Sequence, residues 1–446
     1  MRKKIAILVA FVGIFVALLF IRPWEPEPQK GPRFVDRLPD ADVIGRSNVL
    51  DLTRALSSSL YHYRIPFREF LSPEFILSQG KAFGIDFQES AFFFADEKDW
   101  EIQSFGILFK ITDSSSVHIG MNRLDNLLDL KDTVVYNRRV YKYNKHGIYF
   151  SYGRDWLLVY QGKNFKRTYH DILFAKLNEI PPKWRVFLNQ QSNTGHGIIA
   201  QATTENLAEN GIKSILISVA NDSSSLTLNA QVNQFDTLAF QIKKSGWNYL
   251  PQEFTRTNAR IHCDIGRLRN NPNDPIIRLL TKLGEKIKFP VNDLMNAWEG
   301  NVAFRQGGIE RVQERYIESE LDENFNVSEV VKYKTIKVPG YSVYLSTNAS
   351  NRPLIDKLLN KGIMTKQEGK YRMLFSPPLQ MHQTDTSLMF HTSKFLPALH
   401  PSSQNEILFT HKKTPYLIYL DSTKVKTLYG RLQIPLDKII SDNINL

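Results

Sequence analysis

The stretch Arg139-Val-Tyr-Lys-Tyr143, Gly147-Ile-Tyr-Phe-Ser-Tyr152 and Trp156-Leu-Leu-Val-Tyr-Gln161 contains three short segments rich in aromatic and β-branched residues. Such residues favour strands. Polar residues and glycine separate the segments, and a short turn between two strands makes them antiparallel. The stretch therefore predicts a meander of three antiparallel strands.

Helix and strand patterns alternate on both sides of this meander. Alternation of apolar and polar residues indicates strands, and apolar residues at a spacing of three and four indicate helices. The predicted strands are 42–49, 91–95, 104–111, 197–202, 213–220 and 225–232, and the predicted helices are 50–63, 73–83 and 114–130. This mixture predicts the α+β class, with antiparallel sheets and packed helices.

The order of elements begins again in the second half of the chain. Strand, helix and hairpin patterns over 34–165 match those over 256–410, which predicts two weakly duplicated domains. In the second copy, residues 275–283 predict a helix with Ile276, Leu279, Leu280 and Leu283 on one face. Residues 310–334 are a charged insertion without a counterpart, and we expect a loop or a hairpin there.

An apolar segment without charge or proline extends from Ile5 to Ile21, behind the basic residues Arg2, Lys3 and Lys4. A helix of this length spans about 25 Å. The pattern predicts a signal anchor, a single-pass transmembrane helix in the lipid bilayer with a cytoplasmic N-terminus. A cleaved signal peptide has the same basic start and stays open as the alternative.

Domain boundaries follow from these patterns. The predicted parts are a cytoplasmic tail (1–4), the transmembrane signal anchor (5–22), a stalk (23–33), a first α+β domain (34–250) and a second α+β domain (251–446). Three prolines between Glu25 and Pro32 favour an extended backbone in the stalk. The bulk of the chain is then expected outside the cytoplasm, on the periplasmic side of the cell (inner) membrane.

The chain is basic, with 57 Lys and Arg against 45 Asp and Glu, and a formal net charge of +12. A basic surface attracts anionic membrane faces and acidic polysaccharides. A merely solvated surface with excess lysine is the plainer alternative. We expect no nucleic-acid partner, because the bulk of the chain is predicted to be exported.

Cysteine usage limits the chemistry of this chain. The single cysteine, Cys263, excludes an internal disulfide framework and a thiolate metal cluster. Its neighbours alternate in polarity as in a strand. A buried strand residue is therefore predicted, and a reactive thiol is the alternative.

Motifs of well-known enzyme classes are absent from the sequence, including the P-loop, the zinc-protease helix and the serine-hydrolase elbow. Ser78 and Lys81 fit Ser-x-x-Lys, yet the Lys-Thr-Gly strand that accompanies this pair is missing. His382 and His391 form a metal pair only if a hairpin joins them, and His196 lies between two glycines. Chance spacing and surface positions explain these patterns more simply. We predict no catalytic residue, no metal and no cofactor.

Basic and aromatic residues interleave over 137–146, which covers the first strand of the predicted meander and the turn after it. Cations beside aromatic rings suit sugars and polyanions. The candidate binding residues are Arg138, Arg139, Tyr141, Lys142, Tyr143 and Lys145. On a strand, Arg139, Tyr141 and Tyr143 share a face. A solvent face covered by long side chains is the alternative.

Two short motifs accompany this element order. Leu38-Pro39-Asp40-Ala41 precedes the first strand, and Gly84-Ile85-Asp86 precedes the apolar run Phe92-Phe93-Phe94. In these features the chain resembles uncharacterised membrane- or lipid-anchored exported proteins of Gram-negative bacteria with weakly duplicated α+β domains. The resemblance implies no catalytic residues. The chain departs from lipid-anchored members because it lacks the lipid-accepting cysteine.

These observations favour binding over chemistry. We expect an extracytoplasmic, non-enzymatic binding or scaffold protein of the cell envelope, whose partners are envelope proteins or an anionic polysaccharide. The alternative is a hydrolase that acts on envelope material.

Overall fold

The computed structural model describes residues 32–51, 80, 82–128, 130–190, 197–221, 225–250, 254–272, 274–321, 327–349, 351–367, 369–374, 377, 379–411 and 414–435. The chain divides into two compact units. Unit 1 comprises Met1–Phe235 with Pro435–Leu446, and unit 2 comprises Asp236–Ile434.

The described part of unit 1 contains one antiparallel sheet. Its strands are β1 (Val43–Ser47), β2 (Ala91–Lys98), β3 (Glu101–Lys110), β4 (Lys131–Val135), β5 (Arg138–Tyr143), β6 (Ile148–Tyr152), β7 (Trp156–Gly162), β8 (Ile198–Ala202), β9 (Ile212–Asn221) and β10 (Ser225–Gln234). They pair in the order β4-β5-β6-β7-β3-β2-β1-β8-β9-β10. The meander predicted from the opening stretch is confirmed as β5, β6 and β7.

Helices cover both faces of this sheet. They are α1 (Ser114–Leu128), α2 (Phe165–Leu173), α3 (Pro182–Gln190) and α4 (Glu205–Glu209), with a 3-10 turn at Phe34–Arg37. Alternate residues of β7 enter different cores, because successive side chains of a strand point to opposite faces. Leu157 and Val159 pack in the core with α1, while Leu158 and Tyr160 pack in the core with α2 and α3.

The described part of unit 2 is also built on antiparallel strands. They are β11 (Gln241–Ile242), β12 (Gly246–Tyr249), β13 (Thr255–Asp264), β14 (Trp298–Leu321), β15 (Val327–Thr347), β16 (Met364–Gln367), β17 (Lys370–Met373), β18 (Leu379–Thr384), β19 (Ser387–His391), β20 (Leu399–Ser402), β21 (Asn405–His411), β22 (Thr414–Lys424) and β23 (Thr427–Pro435). The helices are α5 (Gly266–Arg269), α6 (Pro275–Lys286), α7 (Val291–Ala297) and α8 (Asn351–Asn360).

The main sheet of unit 2 repeats the connectivity of unit 1. Its order is β16-β17-β18-β19-β15-β14-β13-β21-β22-β23. A helix follows the corresponding hairpin in both units, α1 after β3 and α8 after β15. Two further pairings are particular to unit 2: β11 joins the end of β13, and β12 pairs with β20 as a small separate sheet.

The predicted α+β class is wrong, because the structure is mostly antiparallel sheet. Of the described residues, 53% are in strands and 22% in helices. The predicted insertion at 310–334 accounts for part of the high strand content, since its described residues, 310–321 and 327–334, belong to the two longest strands, β14 and β15. The predicted helices at 50–63 and 73–83 lie almost wholly outside the described residues.

The predicted single-pass transmembrane helix and signal anchor must also be corrected. Among the described residues, no helix is long and apolar enough to cross a bilayer. The longest of them, α1, has 15 residues, and a spanning helix needs about 20 apolar ones. The segment from Ile5 to Ile21 itself lies outside the described residues.

Candidate functional site

Strand β5 carries the binding residues predicted from the sequence, and the structure divides them between core and surface. Tyr141 is fully buried, and Tyr143 packs against the same core. Lys142 places its ammonium 5.4 Å from the centre of a neighbouring tyrosine ring. Arg138 and Lys145 are exposed at the start of the strand and in the turn after it. The expected open face of alternating cations and rings is therefore only partly formed.

An acidic neighbour on β4 compensates one cation of this strand. Arg139 Nε donates to Asp132 Oδ2 at 2.7 Å, and Arg139 Nη2 contacts the same oxygen. This hydrogen bond raises the pKa of Arg139. The guanidinium also lies 4.7 Å from the centre of the Tyr141 ring, and burial raises the pKa of that tyrosine. An anionic ligand at β5 must compete with Asp132 for Arg139.

Of the histidine and serine candidates, only His382 and His391 lie among the described residues. Ser78, Lys81 and His196 lie outside the described side chains. His391 is buried, and its Nδ1 donates to a backbone oxygen two residues on at 3.0 Å, whereas His382 is exposed. Burial lowers the pKa of His391. In the part of the chain that the structure describes, no cluster of three His, Cys, Asp or Glu residues could hold a metal.

Cys263 is a buried residue of β13, which confirms the prediction for this position. Its Sγ lies 3.6 Å from the backbone oxygen of Gly300. Burial raises the pKa of the thiol to about 11. The thiol therefore stays protonated at neutral pH, whereas a nucleophilic cysteine needs the thiolate.

A polar cluster lies beneath the small sheet of β12 and β20. Arg260 of β13 is fully buried and directly opposite Glu406 of β21. Arg260 Nη1 donates to the backbone oxygen of Gln404, and Asn248 Nδ2 donates to Glu406 Oε1 at 3.3 Å. Burial lowers the pKa of Arg260 and raises the pKa of Glu406. Buried charges of this kind occur either in catalytic centres or in structural networks.

Close packing supports the structural role. A Cβ added to Gly246 would lie 2.2 Å from Asn301 Oδ1 and 2.5 Å from Arg260 Nη2. Only glycine lets β12 approach this closely. Asn301 Oδ1 also accepts from the Trp247 amide at 2.6 Å. The cluster therefore fastens β12 onto the main sheet, and the backbone of β12 occupies the space that a substrate would need.

The hairpin of β14 and β15 extends beyond the sheet of unit 2. β13 pairs with β14 as far as Gly307, and β19 pairs with β15 as far as Ser342. Among the described residues, 309–321 and 327–339 pair only with each other. We call this two-stranded segment the arm. At about 3.4 Å per residue, the arm is roughly 40 Å long.

One face of the arm is a wall of a groove in unit 2, which we call the cationic groove. Its volume is about 600 Å³. The lining residues are Arg311, Val312, Gln313, Tyr333, Thr335, Lys370, Tyr371, Arg372, Gln380, Thr392 and Lys394. Arg372 Nη2 donates to the backbone oxygen of Gln313 at 3.4 Å, so β17 and the arm are tied across the groove.

The charge of this lining has one sign. Of the described lining residues, four are cationic and none is acidic; the cations are Arg311, Lys370, Arg372 and Lys394. Within the described part of the chain, none of the four forms an ion pair with a carboxylate. Two tyrosine rings, Tyr333 and Tyr371, lie among them. Several cations on a concave wall create a positive potential, which attracts an anion.

Sequence reasoning missed the cationic groove because its residues come from distant segments. They lie at 311–335, at 370–380 and at 392–394. The sequence indicated only the charged insertion at 310–334, which was expected to be a loop or a hairpin. That the hairpin turns its basic face towards β17 depends on the tertiary fold.

Comparisons with known proteins do not identify a family. No protein-family model matches the chain, and no curated protein matches it. Among solved structures, crystal form III of TP0453 matches at a TM-score of 0.30 and 7% identity, over 46% of this chain and 80% of that one. Crystal form I gives 0.30 and 8% over 48% and 82%, and form IV gives 0.31 and 7% over 46% and 81%. Similarity at this level supports no argument about function.

Proposed function

We propose that this protein is a non-enzymatic binding protein that takes an anionic ligand in the cationic groove of unit 2. The carrying observation is the lining of that groove, whose described residues include four cations and no acid. Its volume of about 600 Å³ lies in the range of small-molecule sites, about 300 to 1,000 Å³.

The comparison with β5 favours the groove over the site expected from the sequence. The groove carries four cations, and so does β5 together with the turn after it. On β5, however, Asp132 already engages Arg139. In the groove, Arg372 makes a single long hydrogen bond to a backbone oxygen. Cations without a carboxylate partner retain more of their attraction for an external anion.

Two variants with equal loss of charge test this proposal. The groove variant changes Arg311, Lys370, Arg372 and Lys394 to Gln. The control variant changes Arg138, Arg139, Lys142 and Lys145 to Gln. Binding to heparin, as a sulfated polysaccharide probe, is measured by salt elution and by titration at low and at physiological salt.

We expect the groove variant to lose more affinity than the control. At ~0.5 kcal/mol per exposed charge contact, four contacts contribute about 2 kcal/mol, or roughly a thirtyfold change in affinity. The loss should shrink as salt rises, because salt screens exposed charges. If both variants lose affinity equally, heparin binding depends only on the net charge of the protein. A larger loss of affinity in the control would place the anion site at β5. The expected envelope location stays a prediction, which protease accessibility in spheroplasts tests.

A further inference from the structure

An apolar notch lies at the base of the arm, next to the cationic groove. Its volume is about 450 Å³. The lining residues are Phe254, Arg256, Gln306, Gly307, Gly308, Ile309, Lys337, Val338 and Pro339. Phe254 is 77% exposed and Ile309 is 75% exposed. Large apolar side chains so open to water on both sides of a concavity are typical of a binding surface.

A glycine bulge creates this notch. The pairing of β14 with β15 shifts register between Gln306 and Ile309. Gly307 is in close contact with β13, since an added Cβ would lie 2.5 Å from the Cα of Thr255. Gly308 has φ 74° and no atom within 4 Å of an added Cβ. Two residues without side chains therefore leave a gap between Phe254 and the arm.

The notch and the cationic groove are continuous along one face of the arm. Ile309 pairs with Pro339, and the next rung on that face pairs Arg311 with Lys337. Directly paired residues, and residues two apart on a strand, share a face. Lys337 lines the notch and Arg311 lines the groove. The two cavities therefore meet at one rung, where two cations face each other.

We propose that the ligand is an anionic amphiphile. Its head group lies in the cationic groove, and a single apolar chain lies in the notch between Phe254 and Ile309. Charge complementarity favours this occupant: Lys337 and Arg311 lie at the junction, Arg256 also lines the notch, and no acid is among the described residues that line either cavity. This inference rests on the proposed function, because it takes the groove as the site of the anion.

Chain length provides the test. Inorganic phosphate, butyl phosphate, octyl phosphate and neutral octyl glucoside are titrated calorimetrically into the full chain, below their micelle concentrations. The variants are Ile309→Ser, Phe254→Ser and the four-Gln groove variant. Leu279→Ser is the matched control, because Leu279 is a 58% exposed apolar residue of α6 outside both cavities.

We expect octyl phosphate to bind more tightly than butyl phosphate, by up to about fourfold for each methylene that the notch buries. Ile309→Ser and Phe254→Ser should remove this gain and leave phosphate binding unchanged, while Leu279→Ser changes neither. The groove variant should no longer bind any of the phosphate-bearing probes.

Other outcomes separate the two proposals. Equal affinity for phosphate and both alkyl phosphates would overturn the amphiphile and leave the anion site standing. If the unaltered protein binds none of the phosphate-bearing probes, both the anion site and the amphiphile are overturned. If the unaltered protein forms a concentration-dependent dimer and the Ile309→Ser variant does not, the notch binds a second copy of the chain. That result would reject the amphiphile. Each altered protein is first checked by circular dichroism, so that misfolding is not read as lost affinity.

Discussion

The hairpin β2–β3 in unit 1 and the hairpin β14–β15 in unit 2 occupy the same place in one repeated strand order, yet they differ in length. β2 and β3 have 8 and 10 residues, and β14 and β15 have 24 and 21. The short hairpin turns at Asp99 and Trp100, both at positive φ, as a tight two-residue turn requires. The long hairpin continues as the arm.

This difference shows where a sheet can be extended without loss of contacts in its core. Near the sheet, alternate residues such as Ala303 and Tyr344 are buried, whereas most of the arm is exposed. Charge keeps the arm soluble: Lys332 contacts Glu318 and Glu320 at 2.6 and 2.5 Å. Charged side chains on an open two-stranded ribbon hinder pairing with other chains. The longer hairpin of unit 2 therefore forms the groove wall, while the strand order stays the same as in unit 1.

The largest effect is expected when unit 2 is given the short hairpin of unit 1. Residues 307–340 are replaced by Asn-Gly, which joins the paired residues Gln306 and Tyr341 through a two-residue turn. We expect anion binding to be lost and the melting temperature to change little, because the arm buries few apolar residues. Heparin titration and thermal unfolding measure the two effects. Unchanged binding would show that the arm has no part in the site.

A second effect should distinguish the cores of the two units. Unit 1 packs aromatic rings, and Trp184 is fully buried with its Nε1 donating to the Pro39 oxygen at 2.7 Å. Unit 2 packs aliphatic and methionine side chains, including buried Met381. Trp184→Ala should cost about 3–5 kcal/mol of unfolding free energy. Met381→Leu should cost less than about 1.5 kcal/mol, because it conserves volume. Urea unfolding checks both values, and similar losses would argue against this contrast.

A smaller effect concerns acid sensitivity in unit 2. Burial lowers the pKa of His391 in the folded chain below the ordinary value of about 6.5. Protonation below pH ~6.5 therefore favours the unfolded chain, so stability falls as the pH decreases from 7.5 to 5.5. His262, whose pKa burial also lowers, acts in the same direction, and Glu406, whose pKa is raised, opposes it at lower pH.

His391→Gln should reduce this dependence, as measured by urea midpoints at the two pH values. His411→Gln is the matched control, because its side chain is exposed on β21 and does not act on the pKa of His391. An equal slope in the His391 variant and the unaltered protein would show that His391 does not contribute.

The smallest effect concerns the surface pair on β4 and β5. Asp132→Asn removes the partner of Arg139, both side chains being about half exposed. Such pairs contribute about 0.2–1 kcal/mol to stability. The change should leave the fold intact and increase heparin affinity slightly at β5, since Arg139 becomes free. Competition titration with the groove variant as background isolates this gain, and no gain would mean that β5 does not bind anions.

Local pattern predicted the parts of this protein in which neighbours in sequence are neighbours in space. The meander β5–β7 was readable because its alternation and its turns lie within one stretch. The buried strand position of Cys263 was readable for the same reason. The apolar stripe of α6 was misleading, because Ile276, Leu279 and Leu283 are exposed while Ile277 is buried. Periodicity shows that a helix has an apolar face, but only its neighbours decide which part of that face is covered.

The sequence by itself determined the basic charge, the single protected thiol and the antiparallel pairing, because composition and short-range alternation are sufficient for them. The tertiary structure alone decided the balance of strand over helix and the position of the cationic groove. Arg311 and Arg372 are 61 positions apart in the chain, and the strand order β14-β15-β19-β18-β17 brings them to one groove. Chain folding over such distances follows from packing of whole strands, which no local pattern of residues encodes.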